Sequence, residues 1–230
     1  MLTVDFELEI DADMVLRGQG ADPEVVRKRR PGLVELAERA IELGRALFSL
    51  QVTHRSLRTL GLRHTVLDLE GGFTLSGERV AQYLGPSQQV HLVVCTIGDG
   101  VEKRCSELYS SDPALSLALD GFGTVAVDAL TSAVCQRLVD EAAADGFQTS
   151  IPLSPGMIGW ELGAGQSELF AALQPDPAVV RLTPSFQMVP RKSASFVVGA
   201  GVQMDGSGEA CQYCSAVETC RYRDRHCHQP

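Results

Sequence analysis

The sequence predicts an α+β fold, a mainly antiparallel twisted sheet flanked by helices. Two observations predict it. Strand-like segments, some alternating with period two and some continuously apolar, are interspersed with stretches of helical apolar spacing. The two kinds mix without the regular strand, helix, strand repetition that builds a parallel sheet. Composition agrees. With 44% hydrophobic and 21% charged residues in 230, the chain can bury a substantial core, which excludes wholesale disorder and collagen-like repeats. No solenoid-type repeat is visible.

Residues 2–10 (LTVDFELEI) alternate apolar and polar positions and predict a half-buried strand with Val4, Phe6, Leu8 and Ile10 inward. Asp22 followed by Pro23 starts a helix that breaks at Pro31. Leu33, Leu36, Ala37, Ala40, Leu43, Gly44 and Leu47 then mark one helix face. Strands are expected at 50–57 and 65–69, a turn at Gly71-Gly72 and a short helix at 77–84. Residues 90–97 (VHLVVCTI) read as a buried strand, turned by Gly98-Asp99-Gly100 into a helix over 101–109. That order lacks the remaining glycines of a dinucleotide fingerprint and the Lys-Ser/Thr of a P-loop, so it reads as a tight turn. Residues 113–144 form a helix apolar over so much of its girth that it is central, with Gly121 and Gly123 permitting close packing or a bend. A strand at 147–153 leads to the glycine-rich loop 154–165, which holds the single Trp, Trp160. Loops of this kind often line sites. A short helix at 167–173 and strands at 179–182 and 194–204 complete an α+β body over 1–205, before a cysteine-rich tail over 206–230.

Twenty Lys plus Arg against 29 Asp plus Glu give a formal charge of -9, which repels phosphate backbones and anionic membranes, so no nucleic-acid partner is expected. Strongly apolar stretches such as 90–97 fall short of the roughly 20 residues of a membrane span. Residues 1–13 are acidic where a leader is basic, so no membrane association and a cytoplasmic location are expected.

Seven cysteines divide unevenly. Cys95, Cys105 and Cys135 sit in apolar-periodic segments and read as buried small hydrophobes. Cys211, Cys214, Cys220 and Cys227 crowd into the tail as C-x2-C-x5-C-x6-C, with His226 and His228 beside the last. Two cysteines separated by two residues aim both sulfurs at one metal from a single turn, and the later pair closes the shell. A core-poor cytosolic segment does not keep such thiols as disulfides, so metal or cluster binding is expected. Four thiolates suit a 4Fe-4S cluster or a tetrahedral zinc, and His226 or His228 can replace Cys227 in a zinc site. Arg221, Arg223 and Arg225 lie between the last two cysteines, where positive charge favours the reduced form of a cluster.

Asp99, Glu102, Asp120 and Asp128 read as solvated charges at helix ends and faces. Ser154 and Ser185 have no identifiable His/Asp pairing, and His54, His64 and His91 are scattered in sequence, so no hydrolase triad is expected.

Two patches carry a family resemblance. Ser154-Pro155-Gly156 followed by Ser167-Glu168-Leu169-Phe170 forms a Pro-Gly loop and following helix. Residues 182–195 read LTPSFQMVPRKSAS, similar to an L-T-E-S-x-x-M-x-P-x-x-S-x-S segment. Together they resemble the activation domain of vitamin B12-dependent methionine synthase, a module that binds S-adenosylmethionine and supports reductive remethylation of the corrinoid. Cys95-Thr96-Ile97-Gly98, the long helix and the C-x2-C-x5-C-x-Y-R tail fit small stand-alone relatives of that domain. The resemblance covers about residues 90–223.

The resemblance implies an accessory protein of corrinoid-dependent methyl transfer. Its body docks a corrinoid protein or corrinoid methyltransferase, and its tail cluster passes an electron to inactive Co(II). Cobalamin enters through that partner. The implied cofactor-facing residues are Ser154, Pro155, Gly156, Met157, Trp160, Met188 and Ser193, with Trp160 and Met157 placed to pack against a corrin ring. The departures matter equally. Pro152 and Met157 stand where the family has an arginine and a tyrosine that help hold S-adenosylmethionine, Gln136 falls near an acidic position, and Pro184 replaces a Glu. Binding of S-adenosylmethionine through the family's own contacts is therefore not expected. The alternatives are a non-enzymatic corrinoid-protein-binding module with a structural zinc tail, and a methyltransferase-like enzyme using S-adenosylmethionine through replacement contacts.

Overall fold

The structure, a computed structural model, describes residues 6–208, 210–214 and 217–218. In chain order it forms α1 (Ala12–Gly18), α2 (Pro23–Arg29), α3 (Gly32–Arg45), β1 (Gln51–Arg63), β2 (Val66–Leu69), β3 (Phe73–Ser76), α4 (Glu78–Leu84) and β4 (Gln89–Thr96). These are followed by α5 (Gly100–Leu108), α6 (Pro113–Ala144), β5 (Gln148–Thr149), α7 (Leu162–Leu173), β6 (Arg181–Leu182), β7 (Met188–Val189), β8 (Ser193–Gly201) and a 3-10 turn at Ala210–Tyr213.

Six strands make one antiparallel sheet in the order β3-β2-β1-β4-β8-β5, and β6 pairs with β7 in a separate ribbon. This is the α+β class that the mixed periodicity predicts. The continuously apolar β4 lies between β1 and β8 and is buried on both faces, as such a run requires. Its Val93 and Cys95 join a core with α1, α3 and α6, while Val90, Leu92 and Val94 join a second core with α4 and α7. Each fully buried Val or Leu contributes roughly 1.5–3 kcal/mol, so both faces hold the sheet in place.

Several segments depart from the sequence expectations for identifiable reasons. In the described part of the first predicted strand, Leu8 and Ile10 are buried and Glu7 and Glu9 exposed, yet no ladder forms. The inward face is right, but its partner is the helical core rather than a strand. The unexpected α1 follows at once, because Asp11 caps Met14 N–H at 2.7 Å and Val15 and Leu16 seat in the core. β1 continues beyond residue 57 because β2 takes over as its partner where β4 ends, and Arg63 pairs with Asp68 across that hairpin. The strand predicted at 147–153 shrinks to β5 plus one bridge from Leu153 to Val197, since Pro152 has no N–H to give a ladder.

By length and composition α6 is long and apolar enough to cross a membrane, contrary to the expectation that no segment is. In the fold it is the central helix, packed on α1, α3, α5 and the sheet. Gly44 of α3 sits against the Phe122 ring, where an added Cβ would lie 2.1 Å from a ring carbon. Gly121 likewise admits the end of α1, its Cβ position 2.6 Å from Gln19. Close packing is what those small residues provide.

Candidate functional site

A groove of about 740 Å³ runs along one flank of α6 and collects much of the predicted chemistry. Its α6 wall carries Asp128, Thr131, Cys135 and Gln136. Pro152, Ser154 and Met157 form the facing loop wall, and Cys211 and Cys214 close one end.

The loop is shaped by its own backbone. Met157 N–H donates to Ser154 O at 3.2 Å, and Ser154 N–H points back at the Met157 sulfur at 3.4 Å, so the thioether is part of the turn. Gly156 N–H bonds Trp160 O at 2.9 Å, and its φ of 96° is a conformation that favours glycine. Glu161 then caps α7 by accepting from Gly163 N–H at 2.9 Å. Trp160 itself is 1% exposed and packs in the second core. In this conformation its faces are covered by protein, so of the two residues placed to meet a planar ligand only Met157 opens onto the groove.

The tail's first turn is docked on this loop. Tyr213 O accepts from Ile158 N–H at 2.8 Å, the Tyr213 hydroxyl lies 2.6 Å from that of Tyr83, and the Arg79 guanidinium stacks over the Tyr213 ring at 3.9 Å. Tyr213 thereby sets Cys211 and Cys214, both outside any disulfide, at the groove. No feature of the cysteine spacing predicts this anchor. Cys220, Cys227, His226, His228 and the three tail arginines lie outside the described residues, among which no three His, Cys, Asp or Glu side chains converge as a metal site.

The remaining predicted residues lie elsewhere. Met188 is in the short β7 and packs against the second core. Ser193 begins β8, its hydroxyl donating to Pro190 O at 2.7 Å and lying 2.9 Å from that of Thr96. The segment around them touches the loop region through Phe186, which packs at Gly163. The wall opposite the loop is α6, not this segment.

Contacts add to three sequence readings. Cys135 packs against the first core as expected and also edges the groove, and burial pushes its thiol up to about 12. Glu102 and Asp120 are not merely solvated. Glu102 accepts from Lys192 N–H at 2.9 Å, and Asp120 pairs with Lys192 Nζ at 2.9 Å, so both pin the approach to β8. His54 and His91, scattered in sequence, meet across β1 and β4 with ring nitrogens 3.1 Å apart. Burial, as the largest cause, lowers both imidazoles from their usual value, His91 to about 4.

No protein-family model matches the sequence, and no curated protein matches it. Among solved structures, the fold is similar to a crystal structure of the MetH reactivation domain bound to AdoHcy, with a TM-score of 0.63 and 10% sequence identity over 87% of this chain and 79% of that one. The chain therefore shares the fold of that domain.

Proposed function

We propose that this chain is an accessory protein of corrinoid-dependent methyl transfer, docking a corrinoid protein or corrinoid methyltransferase and supporting one-electron reduction of its cobalt. The observation that carries the reading is the seating of Cys211 and Cys214 at the groove, on a fold like that of the MetH reactivation domain. A C-x2-C pair on one 3-10 turn offers two soft donors, with Cys214 N–H closing the turn onto Cys211 O at 3.2 Å. That chemistry fits a thiolate-held group, and in this proposal Cys211, Cys214, Cys220 and Cys227 hold it together.

Cys211, Cys214, Cys220 and Cys227 would hold a 4Fe-4S cluster, which would supply a one-electron couple. The partner's Co(II) would be the acceptor of that electron, giving Co(I), and a one-electron carrier protein would be its source. Tyr213, held by Arg79, Tyr83 and Ile158, keeps the first two ligands beside the docking loop. Met157 and the exposed Ile158 and Leu162 offer the partner an apolar edge.

Purification of the full chain without oxygen tests this reading. Brown protein with iron and sulfide is expected, lost on replacing any tail cysteine by Ser but retained in Cys95→Ser and Cys105→Ser. It is also expected to reduce a Co(II) corrinoid protein to Co(I) when supplied with a chemical reductant. Colourless protein holding one zinc would overturn the electron-transfer role and leave a binding module with a structural tail.

A further inference from the structure

On the flank of α6 opposite the groove, His54 lines a small cavity with Arg137 and Glu141 and belongs to a second set of donors. Arg137 and Glu141 face this side, whereas Cys135 and Val139 face the groove. In the β1–β4 ladder His54 is registered with Val93 and Ser56 with His91, which brings all three polar side chains to one sheet face. Nε2 of His54 and Nδ1 of His91 are 3.1 Å apart, and Oγ of Ser56 lies 3.2 Å from the first and 2.9 Å from the second. The three atoms form a nearly equilateral triangle. Donors at about 2.1 Å from one ion and at right angles to one another stand about 3.0 Å apart, so the triangle has the size of one face of a metal octahedron.

We propose that His54, Ser56 and His91 form a binding site for a divalent first-row transition cation, through His54 Nε2, His91 Nδ1 and Ser56 Oγ, with the remaining positions open to water. Imidazole nitrogens select such ions over magnesium and calcium. Gln89 supplies the outer contact. Its amide lies 3.3 Å from His91 Nε2, and turning its oxygen to that ring N–H leaves Nδ1 bare for the ion. Ser56 is exposed, which provides the way in. The site shares no residue with the cysteine tail, so it stands or falls separately from the proposed cluster.

Titrating Zn²⁺ into the full chain while following the imidazole ¹⁵N resonances tests the assignment. His54 Nε2 and His91 Nδ1 are expected to shift together, in wild type and equally in a Cys211→Ser/Cys214→Ser variant, while the exposed His64 stays put. His54→Gln is expected to weaken the response of His91 at least about tenfold, and Ser56→Ala, at an exposed position that leaves the fold intact, about threefold. Unmoved ring nitrogens while Zn²⁺ goes to the tail would overturn the proposal and leave a purely structural hydrogen-bonded pair. An equal shift of His64 would also overturn it, as general surface binding.

Discussion

Among the cysteines, accessibility and charge state separate thiols that composition makes look alike. Cys95 is fully buried, and desolvation raises its thiol to about 11; Cys135 is raised to about 12 for the same reason, although it edges the groove. Alkylation requires the thiolate, so both should react slowly at neutral pH. Cys211 and Cys214, partly exposed at the end of the groove, are expected to react at least about tenfold faster in the metal-free chain, as read by peptide mass spectrometry after iodoacetamide. Equal labelling of Cys135 would show that the groove wall opens and that burial does not protect this thiol.

At the level of elements, α6 organises the molecule by letting others approach it closely. The Phe122 ring stacks on Phe48 with centroids 5.3 Å apart and occupies the space a side chain at Gly44 would need. Gly44→Ala favours helix propensity yet inserts a methyl group into that ring, and overpacking of this kind costs about 1–3 kcal/mol. A lower melting temperature and urea midpoint are expected, with the far-ultraviolet circular dichroism preserved at low temperature. An unchanged midpoint would mean that α3 slides on α6 without loss.

For the whole molecule, the groove offers a sharp test of the proposed function. Pro152, Met157 and Gln136 line it and Pro184 does not, so three of the four departures from the resembled family's pattern fall on one surface. Pro152 offers no guanidinium for a carboxylate and Met157 no hydroxyl. Truncating one side of a buried charge pair costs about 2–5 kcal/mol, enough to take a micromolar ligand toward millimolar. Calorimetry with S-adenosylmethionine is therefore expected to show millimolar or weaker affinity, and a micromolar constant would point to replacement contacts along α6.

Periodicity along the chain determined the fold class, the buried β4, the central α6 and the small residues on which it packs, because burial on a helix or strand repeats at a spacing visible in one dimension. The cysteine spacing marked the tail, and the resembled motifs marked the loop. What only the tertiary structure decided is which of these meet. Trp160 turns into the core, Met188 and Ser193 stay away from the groove, and Tyr213 carries Cys211 and Cys214 to it. His54 and His91 become neighbours through the register of β1 on β4 alone. Register and docking arise from contacts between segments distant in sequence, and no local pattern encodes them, since a one-residue slip of either strand would send its histidine to the opposite face.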